Sequence, residues 1–240
     1  GNMKTLKLMS LVVMLTALTA YGDDNEIYID QSGDNANIDL EQLGGSNIIG
    51  GLQSTAGSLN PLNLTGSALT LDINQIGDSN TFLGDILGDN ITGYFNFDGN
   101  SNAFTIQVDP TNTYGADSSD FNVQVTGDSN AFTLDVATDS MASNTDLDWI
   151  INGSSNTLDF DINYDGGTSY VDVDGDSNTI TFDGSGYAGG YFYLDQYGNS
   201  RTFNIQQLST LNNDWLKILS TGDSGTVCVI QDDNGTAVGC

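Results

Sequence analysis

The stretch richest in metal-ligating groups is DVDGDSNTITFD, residues 172–183. Its acids Asp172, Asp174, Asp176 and Asp183 fall at positions 1, 3, 5 and 12 of a calcium loop, which binds through carboxylate and carbonyl oxygens. The match is incomplete. Ser177 replaces the glycine of position 6, Thr179 holds position 8, and no helical pattern flanks the loop. These departures argue against an EF-hand and leave a looser structural calcium ion as the one cofactor expectation; no other cofactor is indicated. A second acidic set, Asp135, Asp161 and Asp183, recurs eight residues after Gly127, Gly153 and Gly175. Carboxylates stacked ~4.8 Å apart repel by about 1 kcal/mol per pair even at the dielectric constant of water. A cation would relieve that repulsion, but a solubilising charged face is the simpler interpretation.

Other chemistries lack the residues. The chain has no histidine and two cysteines, which removes most routes to zinc, haem and nucleophilic catalysis. Paired carboxylates are frequent, yet none stands out by spacing, so no enzyme is expected. Thirty-two acidic residues against 4 basic ones give a net charge of −28. That excess argues against nucleic acid, whose phosphates need Lys and Arg, and against docking on anionic membranes.

Residues 3–20 read MKTLKLMSLVVMLTALTA, with two lysines, an apolar run from Leu8 to Leu15 and small residues before Tyr21. This is the pattern of a secretory signal peptide over 1–20, cleaved after Ala20; its apolar core is short for a bilayer span. The mature chain is then expected outside the cell, without membrane insertion, carrying 2 − 32 = −30 charges with only Arg201 and Lys217 basic. In that oxidising setting Cys228 and Cys240 of the segment VCVIQDDNGTAVGC are expected to form a disulfide closing the tail, 232–240. A bridge between subunits is the alternative.

The elements that position these groups are repeats. Related tight turns begin at Gly33 (GDNA), Gly77 (GDSN), Gly99 (GNSN), Gly127 (GDSN), Gly153 (GSSN), Gly175 (GDSN), Gly198 (GNSR) and Gly222 (GDSG). The first interval, 77 − 33 = 44, is twice 22, which places a degenerate copy in 45–65 near Gln53. Longer intervals place insertions near 109–118 and 137–146. Before and after each turn apolar residues alternate, as in Phe121, Val123, Val125 and then Phe132, Leu134, Val136. A period of two marks half-buried strands, and a repeat of 20 to 50 residues marks a solenoid or array. The expectation is an all-β solenoid over 21–231, with two strands per rung and about nine rungs. Asn80, Asn102, Asn130, Asn156 and Asn178 hold the last turn position and can bond locally.

Glutamines interrupt the apolar alternation. Gln31 and Gln196 are expected in the inward column of Val125, Ile151 and Val173, and Gln75 likewise precedes its turn by two. Gln42, Gln207 and Gln231 are expected in the inward column of Val108, Val136 and Ile162. A lone buried amide is costly, but identical amides stacked at the cross-β repeat bond as ladders. Outward-facing or turn tyrosines (Tyr164, Tyr170, Tyr187, Tyr191, Tyr193 and Tyr197) could form an adhesive aromatic surface.

The spacing Q-x-G-x-x-N-x-A-x-x-x-Q resembles the curlin repeat of secreted amyloid subunits. Gln31, Gly33 and Gln42 match it, with Ala36 and Ile38 at its Asn and Ala positions. Gln75, Gly77 and Asn80 match its first half, where Ile86 replaces the second Gln. Gln196, Gly198 and Gln207 match again, with Arg201 at the Asn. The resemblance implies a two-stranded solenoid whose rungs add end to end into fibres. It implies a structural role in a fibre or biofilm matrix, through self-association or pairing with a related subunit. The competing expectation is a monomeric solenoid adhesin, or a calcium- or carbohydrate-binding surface protein.

Overall fold

The computed structural model describes residues 14–21, 26–51, 60–109, 116–137, 143–186, 190–209 and 214–232. Its strands, in chain order, begin with β1 (Met14–Tyr21), β2 (Glu26–Tyr28), β3 (Asp30–Ser32), β4 (Asn37–Leu43), β5 (Ile48–Gly50) and β6 (Leu62–Thr65). They continue with β7 (Thr70–Ile76), β8 (Thr81–Leu87), β9 (Thr92–Asp98), β10 (Ala103–Val108), β11 (Asp120–Thr126), β12 (Ala131–Val136) and β13 (Asp146–Asn152). The series ends with β14 (Thr157–Tyr164), β15 (Thr168–Asp174), β16 (Thr179–Gly186), β17 (Tyr191–Tyr197), β18 (Arg201–Ser209), β19 (Trp215–Thr221) and β20 (Gly225–Asp232). Among the described residues there is no helix.

Successive strands alternate between two parallel sheets. Sheet A runs β1-β4-β7-β9-β11-β13-β15-β17-β19, and sheet B runs β2-β5-β8-β10-β12-β14-β16-β18-β20. From β7 to β20 consecutive strands fall in alternate sheets. The chain is therefore a parallel β-solenoid of about seven turns. β1 pairs in parallel with β4, so the strand falls in the segment whose sequence suggests a leader.

Register follows the alternation of apolar residues. Phe121, Val123 and Val125 of β11 are buried and face Phe132, Leu134 and Val136 of β12 across one continuous core. Trp149 packs edge-on between Phe132 at 5.9 Å and Phe160 at 4.8 Å between centroids. Each such side chain contributes about 1.5–3 kcal/mol on burial. The apolar stripe is the solenoid's interior.

The turns stack as tightly as the sheets. Gly153 has φ +153°, and a Cβ there would lie 1.9 Å from the carbonyl oxygen of Gly127, one rung below. Gly99, Gly127, Gly175, Gly198 and Gly222 meet the preceding rung's turn glycine in the same way. Glycine is required because the backbone of one rung occupies the space of the next rung's side chain.

Gly33 does not join that arc. Gln31 of β3 pairs with Leu64 of β6, and Leu64 pairs with Ile86 of β8. Gln31 thus belongs to the sheet B column that leads to Val108, Val136, Gln207 and Gln231. Gln42 pairs with Gln75, in the sheet A column of Val125, Ile151 and Gln196. The two glutamines exchange the columns expected from sequence. The reason is that a rung has two turns, about 11 residues apart, as 77 − 66, 88 − 77 and 99 − 88 show for successive turn glycines. The 44 residues from Gly33 to Gly77 hold three such half-turns plus an excursion between β5 and β6, where Gly51 bridges Asn60. The degenerate copy consists of the turn Gly44–Asn47 followed by the split strand β5/β6; Gln53 lies outside the described residues. The longer intervals fall between β10 and β11 and between β12 and β13.

Candidate binding faces and strand ends

The turn asparagines form a buried ladder. The backbone N–H of Asn47 donates to Oδ1 of Asn80 at 2.8 Å, and Asn80 N–H donates to Asn102 Oδ1 at 2.7 Å. The run continues through Asn130 and Asn156 to Asn178, each bond at 2.8 Å. Every member is buried, so the side chain supplies an acceptor to a backbone donor that water cannot reach. Sequence spacing identifies five of these asparagines. It passes over Asn47, whose GGSN turn differs from the consensus by one glycine. At Gly198 the Asn position is Arg201, whose guanidinium donates to Gly198 O at 3.4 Å and offers no acceptor. The ladder stops there.

The residue after each turn glycine builds a second, exposed ladder in the opposite direction. Asn100 N–H donates to Asp78 Oδ1 at 2.6 Å, Asp128 N–H to Asn100 Oδ1 at 2.7 Å, and Ser154 N–H to Asp128 Oδ1 at 2.6 Å. Asp176 Oδ1 accepts from Asn199 N–H at 2.5 Å. These acids are structural acceptors in the turns.

That assignment bears on the calcium candidates. Asp172 and Asp174 lie on the outer face of β15 in sheet A, Asp176 lies in the turn, and Asp183 lies on the outer face of β16 in sheet B. The two outer faces lie on different sheets, so the structure does not bring these four carboxylates together on one face. Among the described residues no group of three or more His, Cys, Asp or Glu is gathered closely enough to hold a metal ion. Asp135, Asp161 and Asp183 do stand in one column of sheet B, as the spacing predicts. Beside them the carboxyl of Asp159 is pushed up by burial and then by the charges of Asp135 and Asp183. Asp172 is raised in the same way, by burial and then by Asp195 and Asp174.

The inward glutamines make two short ladders within the chain. Gln75 Nε2 donates to Gln42 Oε1 at 2.9 Å, and Gln231 Nε2 donates to Gln207 Oε1 at 3.0 Å. Gln196 accepts from Ser220 Oγ at 3.2 Å and donates to Gly175 O at 3.3 Å. Gln31 donates to Gly33 O at 3.0 Å, while its Oε1 is buried without a partner.

The last described rung is open. Val227 and Val229 of β20 continue the core columns of Phe203 and Ile205, yet are 51% and 44% exposed. Leu216 and Ile218 of β19 are half-buried, and Gln231 is exposed. Cys228, on the outer side of β20, is disulfide-bonded. Its expected partner Cys240 lies outside the described residues.

Aromatic rings collect on the outer face of sheet A near this end. Tyr170 and Tyr193 stack at 4.8 Å and 5°, and Tyr191 and Trp215 stack at 3.9 Å and 6°. Lys217 Nζ lies 4.9 Å from the centroid of the Tyr193 ring. Tyr197 is on the same face; Tyr187 lies outside the described residues, and of Tyr164 only the backbone is described. The sequence points to the tyrosines but not to Trp215 and Lys217, which only the strand register brings onto Tyr191 and Tyr193.

Among the described residues these features make a parallel β-solenoid with an exposed last rung and an aromatic, acidic outer face on sheet A. Compared with known proteins, the chain matches no family model, no curated protein and no solved structure.

Proposed function

We propose that the chain is a secreted structural subunit that adds end to end into a curlin-like fibre or matrix by β-augmentation. With β2/β3 and β5/β6 counted as split members, sheet B supplies nine strand positions, and sheet A supplies eight to the secreted chain once the leader that carries most of β1 is cleaved. The observation that carries the proposal is the rung β19–β20, beyond which no further strand is added among the described residues and where Val227 and Val229 are exposed. An unpaired parallel edge is a template for another strand, and apolar side chains in register with it supply the driving force. In sheet B a second copy meets that edge with β2 and β3, which sets Gln31 on Gln231 and extends the pair Gln207–Gln231 into a three-membered ladder. The repulsion between highly acidic subunits is long-range and screened by salt, so assembly is slow in low salt and faster as ionic strength rises. The role is structural rather than catalytic.

The test is fibre growth followed by thioflavin fluorescence and electron microscopy for the parent, Val229→Glu and Gln231→Glu. Both changes lie at the exposed end, so the monomer keeps its fold while the joint receives a carboxylate. Strong retardation of both variants is expected. Growth at the parental rate would remove end-to-end augmentation. The second reading, a monomeric solenoid adhesin, rests on the aromatic face of sheet A.

A further inference from the structure

The outer face of sheet A carries a feature that end-to-end joining does not use. Of the ten exposed large apolar side chains among the described residues, six (Ile150, Tyr170, Tyr191, Tyr197, Trp215 and Leu219) lie on the outer face of β13, β15, β17 and β19. Beside them a cleft of about 300 Å³ opens over three stacked turns. Its side-chain lining comes from Ser154, Asp174, Asp176, Tyr197, Asn199 and Thr221. Contiguous exposed apolar surface on a folded protein marks a place of contact with another molecule.

We propose that this cleft binds a protonated amino sugar, one 2-amino-hexose residue of a polysaccharide, with its ammonium held by Asp174 and Asp176 beside the ring of Tyr197. Three observations select that ligand. First, Tyr197 is 65% exposed, and its neighbours in register are Asp174 and Thr221 rather than another ring. The faces of Tyr170 and Tyr191 are instead occupied in stacked pairs. Tyr197 therefore presents an aromatic surface to an incoming group. Second, the same face already shows the pairing in miniature, because the chain's own ammonium, Lys217 Nζ, sits over Tyr193. A cation over an aromatic ring is held by the ring's quadrupole, and nearby carboxylates strengthen the hold. Third, the chain carries −28 charges, which concentrates cations in a cleft and repels anionic glycans.

The polar lining separates an amino sugar from a basic peptide. Thr221, Ser154, Asn199 and the Tyr197 hydroxyl supply donors and acceptors around the two carboxylates. A sugar ring answers them with its hydroxyls. A lysine side chain brings one ammonium on an apolar stem and leaves the rest of the lining facing methylenes. This site opens sideways over the turns and reaches the last described rung only through Thr221 and Gly222, so it goes beyond the structural role proposed above.

The experiment is calorimetric titration of the folded chain with soluble glucosamine oligomers, the fully N-acetylated oligomers, and oligolysine of equal charge. Saturable binding of the glucosamine oligomers is expected, with N-acetylated oligomers at least about tenfold weaker because the cation is gone. Tyr197→Ala and Asp174→Asn should each weaken binding about tenfold. Tyr94→Ala, an exposed ring outside the cleft, should bind like the parent. Melting curves check that the variants fold, and Asp174→Asn remains informative if Tyr197→Ala does not. Parental affinity in Asp174→Asn, or oligolysine bound as tightly as glucosamine, would overturn the proposal. Binding is read on the single chain, so its failure and a failure to form fibres are separate results.

Discussion

Gln75 donates its side-chain amide to Gln42 at 2.9 Å, across 33 residues of sequence and a single step of the solenoid. Both side chains are fully buried, between the Leu40–Ile73 pair and the turn. The next residue up that column is Phe97, which can neither donate nor accept. Gln75→Leu takes the amide donor from Gln42 and should cost about 1–3 kcal/mol, the cost of a buried polar group that loses its partner. The double variant Gln42→Leu/Gln75→Leu removes both partners and should cost clearly less than the two single changes together. Urea denaturation of the four proteins gives the coupling. Strict additivity would mean that the two amides do not depend on each other.

The asparagine ladder yields a prediction of opposite sign. Arg201 occupies the position that Asn178 fills one rung below, and its Nε is buried without a partner. Arg201→Asn places an Oδ1 where the N–H of Asn178 can reach it, extending the ladder by one rung. Stability should rise by about 1 kcal/mol, the net worth of one hydrogen bond to a backbone donor. Asn130→Ala, in the middle of the run, should lose at least as much by orphaning the N–H of Asn102. A destabilised Arg201→Asn chain would show that the guanidinium matters more to this rung than the missing acceptor.

Much of this architecture is legible in the residue pattern, and the limits of legibility are physical. Alternation in Phe121–Val125 and Phe132–Val136 is enough to name the strands and their inner faces, because a strand has only two faces. Turn glycines mark the rungs because no other residue fits beneath the next carbonyl. The phase of the first turn was hidden. The turns at Gly33 and Gly77 both open on Gly-Asp, and only pairing shows that they lie on opposite edges of the rung. An excursion of about one half-turn inside a strand preserves the apparent 22-residue period and so disguises itself. The placement of the four acids was likewise not legible from spacing alone: the turn splits consecutive acids onto two outward faces, Asp172 and Asp174 on sheet A and Asp183 on sheet B. The aromatic face lay between these cases: its tyrosines are visible in sequence, while the stacking of Trp215 and Lys217 on them is a product of register.

Two glycines separate backbone strain from steric collision. Gly33 has φ +130°, but a Cβ there would meet only the amide end of the Gln31 side chain at 3.9 Å. Gly33→Ala should therefore cost about 1–3 kcal/mol, from the backbone conformation alone. Gly153→Ala adds a collision with Gly127 O at 1.9 Å, which neither rung can relieve without breaking the stack. It should cost substantially more and shift the melting temperature further than Gly33→Ala. Equal losses at the two sites would mean that the turn stack is looser than its carbonyl contacts indicate.

The carboxylates set the pH dependence. Asp85, Asp120, Asp159 and Asp172 are all raised above the ordinary carboxylate value, in each case first by burial and then by neighbouring acids. An acid raised in the folded state holds its proton more tightly there than in the unfolded chain. The resulting stabilisation is fully present below the unfolded value, near 3.9 for Asp, and is lost as pH rises through the folded value. Melting temperature should therefore increase as pH is lowered from 8 toward the carboxylate range, and the increase should shrink in high salt as repulsion between exposed acids is screened. Asp159→Asn abolishes one of these titrations at the point where Asp135 and Asp183 flank it. That variant should be more stable than the parent at pH 8 and show a flatter profile. Thermal melts followed by the strand circular-dichroism signal at several pH values test both statements. A melting temperature that rises with pH would show that the carboxylates accepting backbone bonds in the turns, such as Asp78 and Asp128, outweigh the crowded ones on the sheets.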